Sequence, residues 1–192
     1  TNIPATDPTK LQDDAYRYEF IGWAKDIGKN FYVVDEYDND ENGAKIVYTH
    51  KDGAEFIVKG DATYVPVFRM IPREYSVTFS YTVDGGAPAS LKVDGYHWED
   101  SITLPEEIKN NYTQGGYRYY IEGWKVGSSQ DKNPLDSVTV KGNMTLTAVY
   151  GAGEAAEYTI NFYDKDGNLL NEENNIYTHN SKVTAPTFGD GE

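Results

Sequence analysis

The residues of this chain that could do chemistry are acidic or aromatic. The densest acidic set is Asp35-Glu36-Tyr37-Asp38-Asn39-Asp40-Glu41-Asn42-Gly43. Asp38, Asp40 and Asn42, followed by Gly43, set hard oxygen donors at alternate positions before a turn glycine, the opening pattern of a calcium loop. The twelfth position of such a loop is Thr49, where a bidentate Glu is required, and no helical pattern flanks the segment. A solvated acidic hairpin tip therefore competes with weak calcium binding. Trp98 and Tyr96 are the second candidate, as ligand-binding side chains for a sugar or protein partner. Trp98 does not recur with the repeats below, so no repeated core requires it.

Other chemistries find little support. His50, His97 and His179 are far apart in sequence and show no metal-ligand spacing. Cysteine is absent, which removes thiolate nucleophiles, disulfides and Cys metal sites. No Gly-x-Ser-x-Gly elbow or Walker loop occurs. Gly151-Ala152-Gly153-Glu154-Ala155-Ala156 fits a Gly-x-Gly-x-x-Ala string but leads into a strand pattern, where a dinucleotide site needs a helix. Paired carboxylates about 5 to 9 Å apart, as in glycosidases, can come from any part of a fold. A repeated small module is a poor host for one unique, preorganised constellation, so the chain reads as a non-enzyme.

Charge narrows the partners. The 192 residues carry 17 Lys and Arg against 31 Asp and Glu, a net charge of -14. That field repels phosphate backbones and anionic membrane surfaces. No apolar run approaches the roughly 20 residues that cross a bilayer. Thr1 is not followed by a charged-then-apolar leader, so the chain reads as a piece of a longer one.

These residues are carried by repeated elements. Tyr16-Arg17-Tyr18-Glu19-Phe20-Ile21-Gly22-Trp23 returns as Tyr117-Arg118-Tyr119-Tyr120-Ile121-Glu122-Gly123-Trp124. Val58-Lys59-Gly60-Asp61-Ala62-Thr63 returns as Val140-Lys141-Gly142-Asn143-Met144-Thr145, each before an apolar strand that ends at Phe68 or Tyr150. Glu74-Tyr75-Ser76-Val77-Thr78-Phe79 returns 83 residues later as Glu157-Tyr158-Thr159-Ile160-Asn161-Phe162. Residues 1–72 read as the back part of one copy, 74–150 as a complete copy, 151–156 as a flexible linker and 157–192 as the front hairpin of a third. Copy one is longer by 19 residues between its Trp and its Val, an acidic insertion at about 24–57.

Within copy two, Tyr75, Val77, Phe79, Tyr81 and Val83 alternate with Ser and Thr, a strand with one buried face. Asp84-Gly85-Gly86 turns the chain, as Asp164-Lys165-Asp166-Gly167 does in copy three. Leu104-Pro105-Glu106-Glu107-Ile108-Lys109 predicts a short helix, with Pro and acids in its first turn. Asp7-Pro8-Thr9-Lys10-Leu11 offers the same device. Phe31–Val34 and Ala44–Tyr48 suggest a hairpin inside the insertion, and Pro66 predicts that the closing strand of copy one lies at a sheet edge. The fold expected is α+β and β-dominated: tandem β-grasp-like repeats of strand, strand, short helix, strand, strand.

Together the opening Tyr-Ser-Val-Thr-Phe strand, the Gly turn, the Gly-Trp strand and Val-Lys-Gly-[Asp/Asn]-x-Thr resemble the Listeria-Bacteroides repeat family, which includes internalin B-repeat modules. The insertion and Val65-Pro66-Val67 depart from it. The resemblance implies β-grasp-like modules of secreted or wall-anchored bacterial surface proteins, used as spacer or adhesion segments, with a protein or glycan at a cell surface as partner. A carbohydrate-binding accessory module of a secreted hydrolase is the alternative, motivated by 17 Tyr and by Trp98. Incomplete copies leave strand edges that invite head-to-tail self-association, unless the insertion covers the edge in copy one.

Overall fold

A computed structural model describes residues 6–26, 28–52, 55–57, 59–170 and 175–185. Val58 of the second landmark and the last residues of copy three, 186–192, lie outside them. The chain forms two compact units: Thr1–Ser76 with Asp94–Asp100 and Val140–Asn143, and Val77–Val93 with Ser101–Thr139 and Met144–Glu192. Among the described residues the regular structure is strand, apart from one 3-10 turn at Leu135–Ser137.

The expected helix, and with it the α+β β-grasp arrangement, is therefore corrected to an all-β fold. At Leu104–Lys109 the chain makes a single turn, in which Ile108 N–H donates to the Pro105 carbonyl at 3.0 Å. Ile108 is thereby buried, and the chain is extended again by Asn111. A lone turn closes few hydrogen bonds for the dihedrals it fixes, so it needs either length or an apolar stripe to propagate. Residues 104–110 have neither. Asp7–Leu11 also stays irregular: Leu11 is almost wholly exposed, and Asp7 pairs with Lys51 at 3.8 Å.

The sheet of the first unit is built from β1 (Tyr16–Lys25), β2 (Tyr32–Val34), β3 (Tyr48–His50) and β4 (Tyr64–Pro72) in the order β2-β4-β1-β3. β1 and β4 are antiparallel, with a bulge at Ile21 between the pairs Phe20 with Phe68 and Gly22 with Val67. β2 runs parallel to β4 and β3 antiparallel to β1, so the two insertion strands flank opposite edges instead of forming a hairpin together. Pro66 consequently sits in an interior strand, not at an edge. β2 pairs only with Val67–Arg69, so the sheet is open beside Pro66, where the missing N–H leaves nothing unpaired. Ile21, Ala24, Tyr32, Val34, Val65 and Val67 form a buried cluster on one face. Phe20, Trp23 and Phe68 cover the other, with edge-on rings 5.3 and 6.1 Å from Phe20.

In the second sheet, β5 (Tyr75–Val83), β6 (Ala87–Tyr96), β7 (Asn111–Gln114), β8 (Tyr117–Val126), β9 (Met144–Tyr150) and β10 (Glu154–Ala155) follow the order β10-β8-β9-β5-β6, with β7 also on β8. Between β5 and β6 the Gly86 N–H donates to the Val83 carbonyl at 3.0 Å, and Gly85 and Gly86 both take positive φ, which glycine adopts without steric cost. β8 carries the same bulge as β1, one residue between Ile121 with Tyr150 and Gly123 with Val149. Trp124 is buried and meets Phe79 edge-on at 5.4 Å, in a core with Val77, Ile102, Ile108, Val138 and Leu146.

Residues 151–156 run along β8: Gly151 N–H donates to the Tyr120 carbonyl at 3.0 Å, Glu154 pairs with Arg118, and Ala156 N–H donates to the Gly116 carbonyl at 2.9 Å. Copy one does the same at the matching residue, where Arg73 N–H donates to the Ala15 carbonyl at 2.9 Å. Copy three begins with β11 (Glu157–Thr159), antiparallel to β12 (Ile176–Thr178). The 164–167 turn closes a short ladder, with Leu170 N–H donating to the Phe162 carbonyl at 2.7 Å.

Candidate functional site

The acidic tip is a pair of turns of one design. Asp35 Oδ1 accepts the N–H groups of Tyr37 and Asn39, and Asp40 Oδ1 those of Asn42 and Ala44. In each, the backbone closes the same way: Asp38 N–H to the Asp35 carbonyl at 3.2 Å, Gly43 N–H to the Asp40 carbonyl at 2.8 Å. Asp164 repeats the design with the N–H groups of Asp166 and Asn168. The fourth residue of each turn has positive φ: Asp38 at 64°, Gly43 at 76° and Gly167 at 86°. This is the three-residue hairpin loop with a left-handed residue at the bulge. Alternating acids are what two such turns in succession require, which is why the segment imitates the start of a calcium loop.

Asp38 reaches across to β3 and β4. Its Oδ1 lies 2.8 Å from Arg69 Nη2 and accepts the Tyr48 hydroxyl at 3.0 Å, while Oδ2 is 3.5 Å from Lys45 Nζ. The Arg69 hydrogen bond, then that of Tyr48, holds the Asp38 carboxyl below its ordinary range against the cost of desolvation. Backbone N–H donors, first that of Ala44, do the same for Asp40, whose Oδ2 is 3.7 Å from Lys29 Nζ. Of the calcium candidates, Asp38 and Asp40 thus point at cations and N–H donors, and Asn42 contributes its own N–H to Asp40. A calcium ion here would have to displace Arg69. Among the described residues no group of three or more His, Asp or Glu is placed to hold a metal.

Sequence reasoning missed Arg69. Gly151 stands at the matching position of copy two, so an Arg unique to the copy with the insertion was the available signal.

Trp98 and Tyr96 sit where the chain leaves β6. His97 to Asp100 form a turn in which Asp100 N–H donates to the His97 carbonyl at 3.2 Å and Glu99 takes φ 68°, a value usually left to Gly or Asn. The Trp98 ring is half-buried, 6.4 Å from the Tyr75 ring and 4.7 Å from Lys141 Nζ, which also pairs with Glu99. A cation over the ring face is worth about 0.5 to 1 kcal/mol at such an exposed site. Tyr96 is half-buried too, and burial, aided by the Asp100 charge, raises its hydroxyl pKa. The two residues are neighbours in the chain, yet a ligand would share the Trp98 face with Lys141.

A second aromatic group, unforeseen from sequence, gathers at the start of copy three. The His179 ring lies 5.9 Å from Tyr117 and 6.3 Å from Tyr158. Gly116 admits it, since a Cβ there would lie 2.2 Å from the His179 ring. The contact joins three segments distant in sequence and so left no local trace.

No protein-family model, no curated protein and no solved structure matches the chain. No described helix is long and apolar enough to cross a membrane.

Proposed function

We propose that the chain is a non-catalytic repeat module of a bacterial cell-surface protein, acting outside the cell as a spacer or adhesion segment. The observation that carries this is the recurrence of one bulged strand, with its Gly-Trp close, on the same register of a closing strand: Gly22 with Val67 and Gly123 with Val149. Repetition of a whole strand pair with divergent loops favours a scaffold over a unique reactive site. The resemblance to the Listeria-Bacteroides repeats is what supports a surface location. Acidic turns whose carboxylates are satisfied by their own backbone add charge and solubility without a cofactor. Protease treatment of intact cells that make the parent protein tests the location: release of peptides from 6–185 supports it, and their complete protection overturns it.

A carbohydrate-binding module is the rival, and the partly exposed Trp98 ring favours it. Binding of the intact chain across a broad glycan array separates the two. Saccharide-specific signal lost in both Trp98→Ala and Tyr96→Ala moves the assignment to sugar binding. Protein ligands bound without glycan signal retain the adhesion reading.

A further inference from the structure

Trp98 and His179 hold the same place in two copies, although their spacing conceals it: Trp98 follows the opening Tyr75 by 23 residues and His179 follows Tyr158 by 21. Trp98 lies 6.4 Å from the Tyr75 ring at 55°, and His179 lies 6.3 Å from the Tyr158 ring at 56°. Each is followed by a non-glycine residue with positive φ, Glu99 at 68° and Asn180 at 65°. Each sits in the same turn, closed by the Asp100 N–H on the His97 carbonyl at 3.2 Å or the Ser181 N–H on the Thr178 carbonyl at 3.0 Å. Two residues before each tyrosine the chain is tied to the preceding copy at matching atoms, Arg73 N–H to the Ala15 carbonyl and Ala156 N–H to the Gly116 carbonyl, both 2.9 Å. From this recurrence we infer that the repeat carries a built-in joint, made by its opening tyrosine and the ring at the end of its front hairpin, and that His179 locks the hairpin of copy three onto copy two in a fixed orientation.

The segment that precedes copy three, Gly151-Ala152-Gly153-Glu154-Ala155-Ala156, has the composition of a flexible linker, yet its glycines serve close approach. A Cβ on Gly151 would meet the Glu122 carboxylate, and one on Gly153 would lie 2.6 Å from the Tyr119 ring. Lying flat on β8, the segment pairs Glu154 with Arg118 and Ala155 with Tyr117, and Ala156 is buried. The His179 N–H donates to the Ala156 carbonyl at 2.8 Å, so the far strand of the hairpin is tied to the residue that leads into its near strand. The His179 ring closes the joint over Gly116, against Tyr117 as well as Tyr158. Ring pairs at such separations contribute beyond their buried area. All of these residues belong to the second unit. In the first unit the corresponding joint is reinforced: Arg73 Nη1 donates to the Asp13 carbonyl at 2.7 Å and the Tyr75 hydroxyl to the Asp14 carbonyl at 2.5 Å. Trp98 is thereby assigned to the joint of copy two and not to a ligand. For its use this rests on the spacer reading above: fixed joints let reach grow in proportion to the number of copies, whereas flexible links let it grow only as roughly the square root.

Amide nitrogen NMR relaxation of the intact chain is the test. The amides of β11 and β12 should share one rotational correlation time with those of β8 and β9, and the Ala156 and His179 amides should be protected from exchange. A shorter correlation time for β11 and β12 overturns the fixed joint and leaves the surface location, which protease release tests, standing. His179→Ala should shorten the correlation time of β11 and β12 while their strand chemical shifts persist, and His179→Phe, which keeps a ring, should not. A His179→Ala chain whose hairpin still tumbles with β8 overturns the role of His179. Loss of the strand shifts in His179→Ala alone supports that role, since the ring then holds the hairpin itself; loss in both variants overturns it, because a ring does not suffice.

Discussion

The carbonyl oxygen of Thr49 lies 2.1 Å from the point where a side chain on Gly22 would place its Cβ. Thr49 belongs to β3, which runs beside β1 and pairs with Trp23 there. Gly123 meets the same situation in copy two, where Asn133 bridges to Trp124 and its carbonyl would be 2.9 Å from a Cβ, with Lys132 Cγ at 2.5 Å. The recurring Gly-Trp pair thus has a physical cause: the glycine lets a third segment close on the bulged strand, and the tryptophan lies on the opposite face.

Gly22→Ala should destabilise the first unit by about 2 to 3 kcal/mol, the upper part of the usual range for single substitutions, because backbone must move. Gly123→Ala should cost about 1 kcal/mol less, since a flexible Lys132 side chain makes the closest contact. Urea unfolding of each variant, followed by tryptophan fluorescence, measures the pair.

Asp38→Asn keeps a residue that tolerates positive φ but removes the charge facing Arg69. The loss should be about 1 kcal/mol, below the full value of a charged hydrogen bond because both side chains are partly exposed. Arg69→Met should cost a similar amount, and the double variant less than the sum, as a double-mutant cycle in urea would show.

Stability should fall as acid is added below the ordinary carboxylate range. Asp38, Asp40, Asp35 and Asp13 all have lowered pKa values, caused first by Arg69, the Ala44 N–H, the Asn39 N–H and the Tyr18 hydroxyl respectively. A lowered folded pKa means stabilisation that is complete above the ordinary aspartate value of 3.8 and is lost as pH falls through the folded value. Thermal unfolding from pH 6 downward should show the decline at about pH 4, and Asp38→Asn should flatten it.

The alkaline limb has the opposite sign. Tyr18 donates to Asp13 at 2.5 Å, and that bond first, then burial, raises its pKa to about 12. Its contribution is intact below the ordinary tyrosine value of 10.0 and is lost as pH rises toward 12. Tyr18→Phe should abolish this part of the alkaline loss, measured by denaturation at about pH 9 and about pH 11, roughly one unit on either side of an ordinary tyrosine.

Titration with millimolar calcium should give no heat attributable to Asp38, Asp40 and Asn42, because Arg69 and backbone N–H groups already fill their carboxylates' lone pairs. Heat that vanishes in Asp40→Asn would show that the tip reorganises around the ion.

Features written in local spacing were legible in the sequence. The Tyr-Arg-Tyr to Gly-Trp strand, the alternating strand at 75–83, the glycine turns and the repeat order all depend on neighbours within a few residues, and the observed strands β1, β5, β8 and β9 follow them. Tertiary structure decided the rest. Whether Pro105 to Lys109 became a helix depended on burying Ile108, not on capping chemistry. The direction of β2 and β3, the pairing of Asp38 with Arg69 across 31 positions and the Lys141 ammonium over Trp98 depended on which edges and faces remained uncovered. Local pattern sets a strand's faces, but hydrogen-bond demand and apolar burial summed over the sheet choose its neighbours.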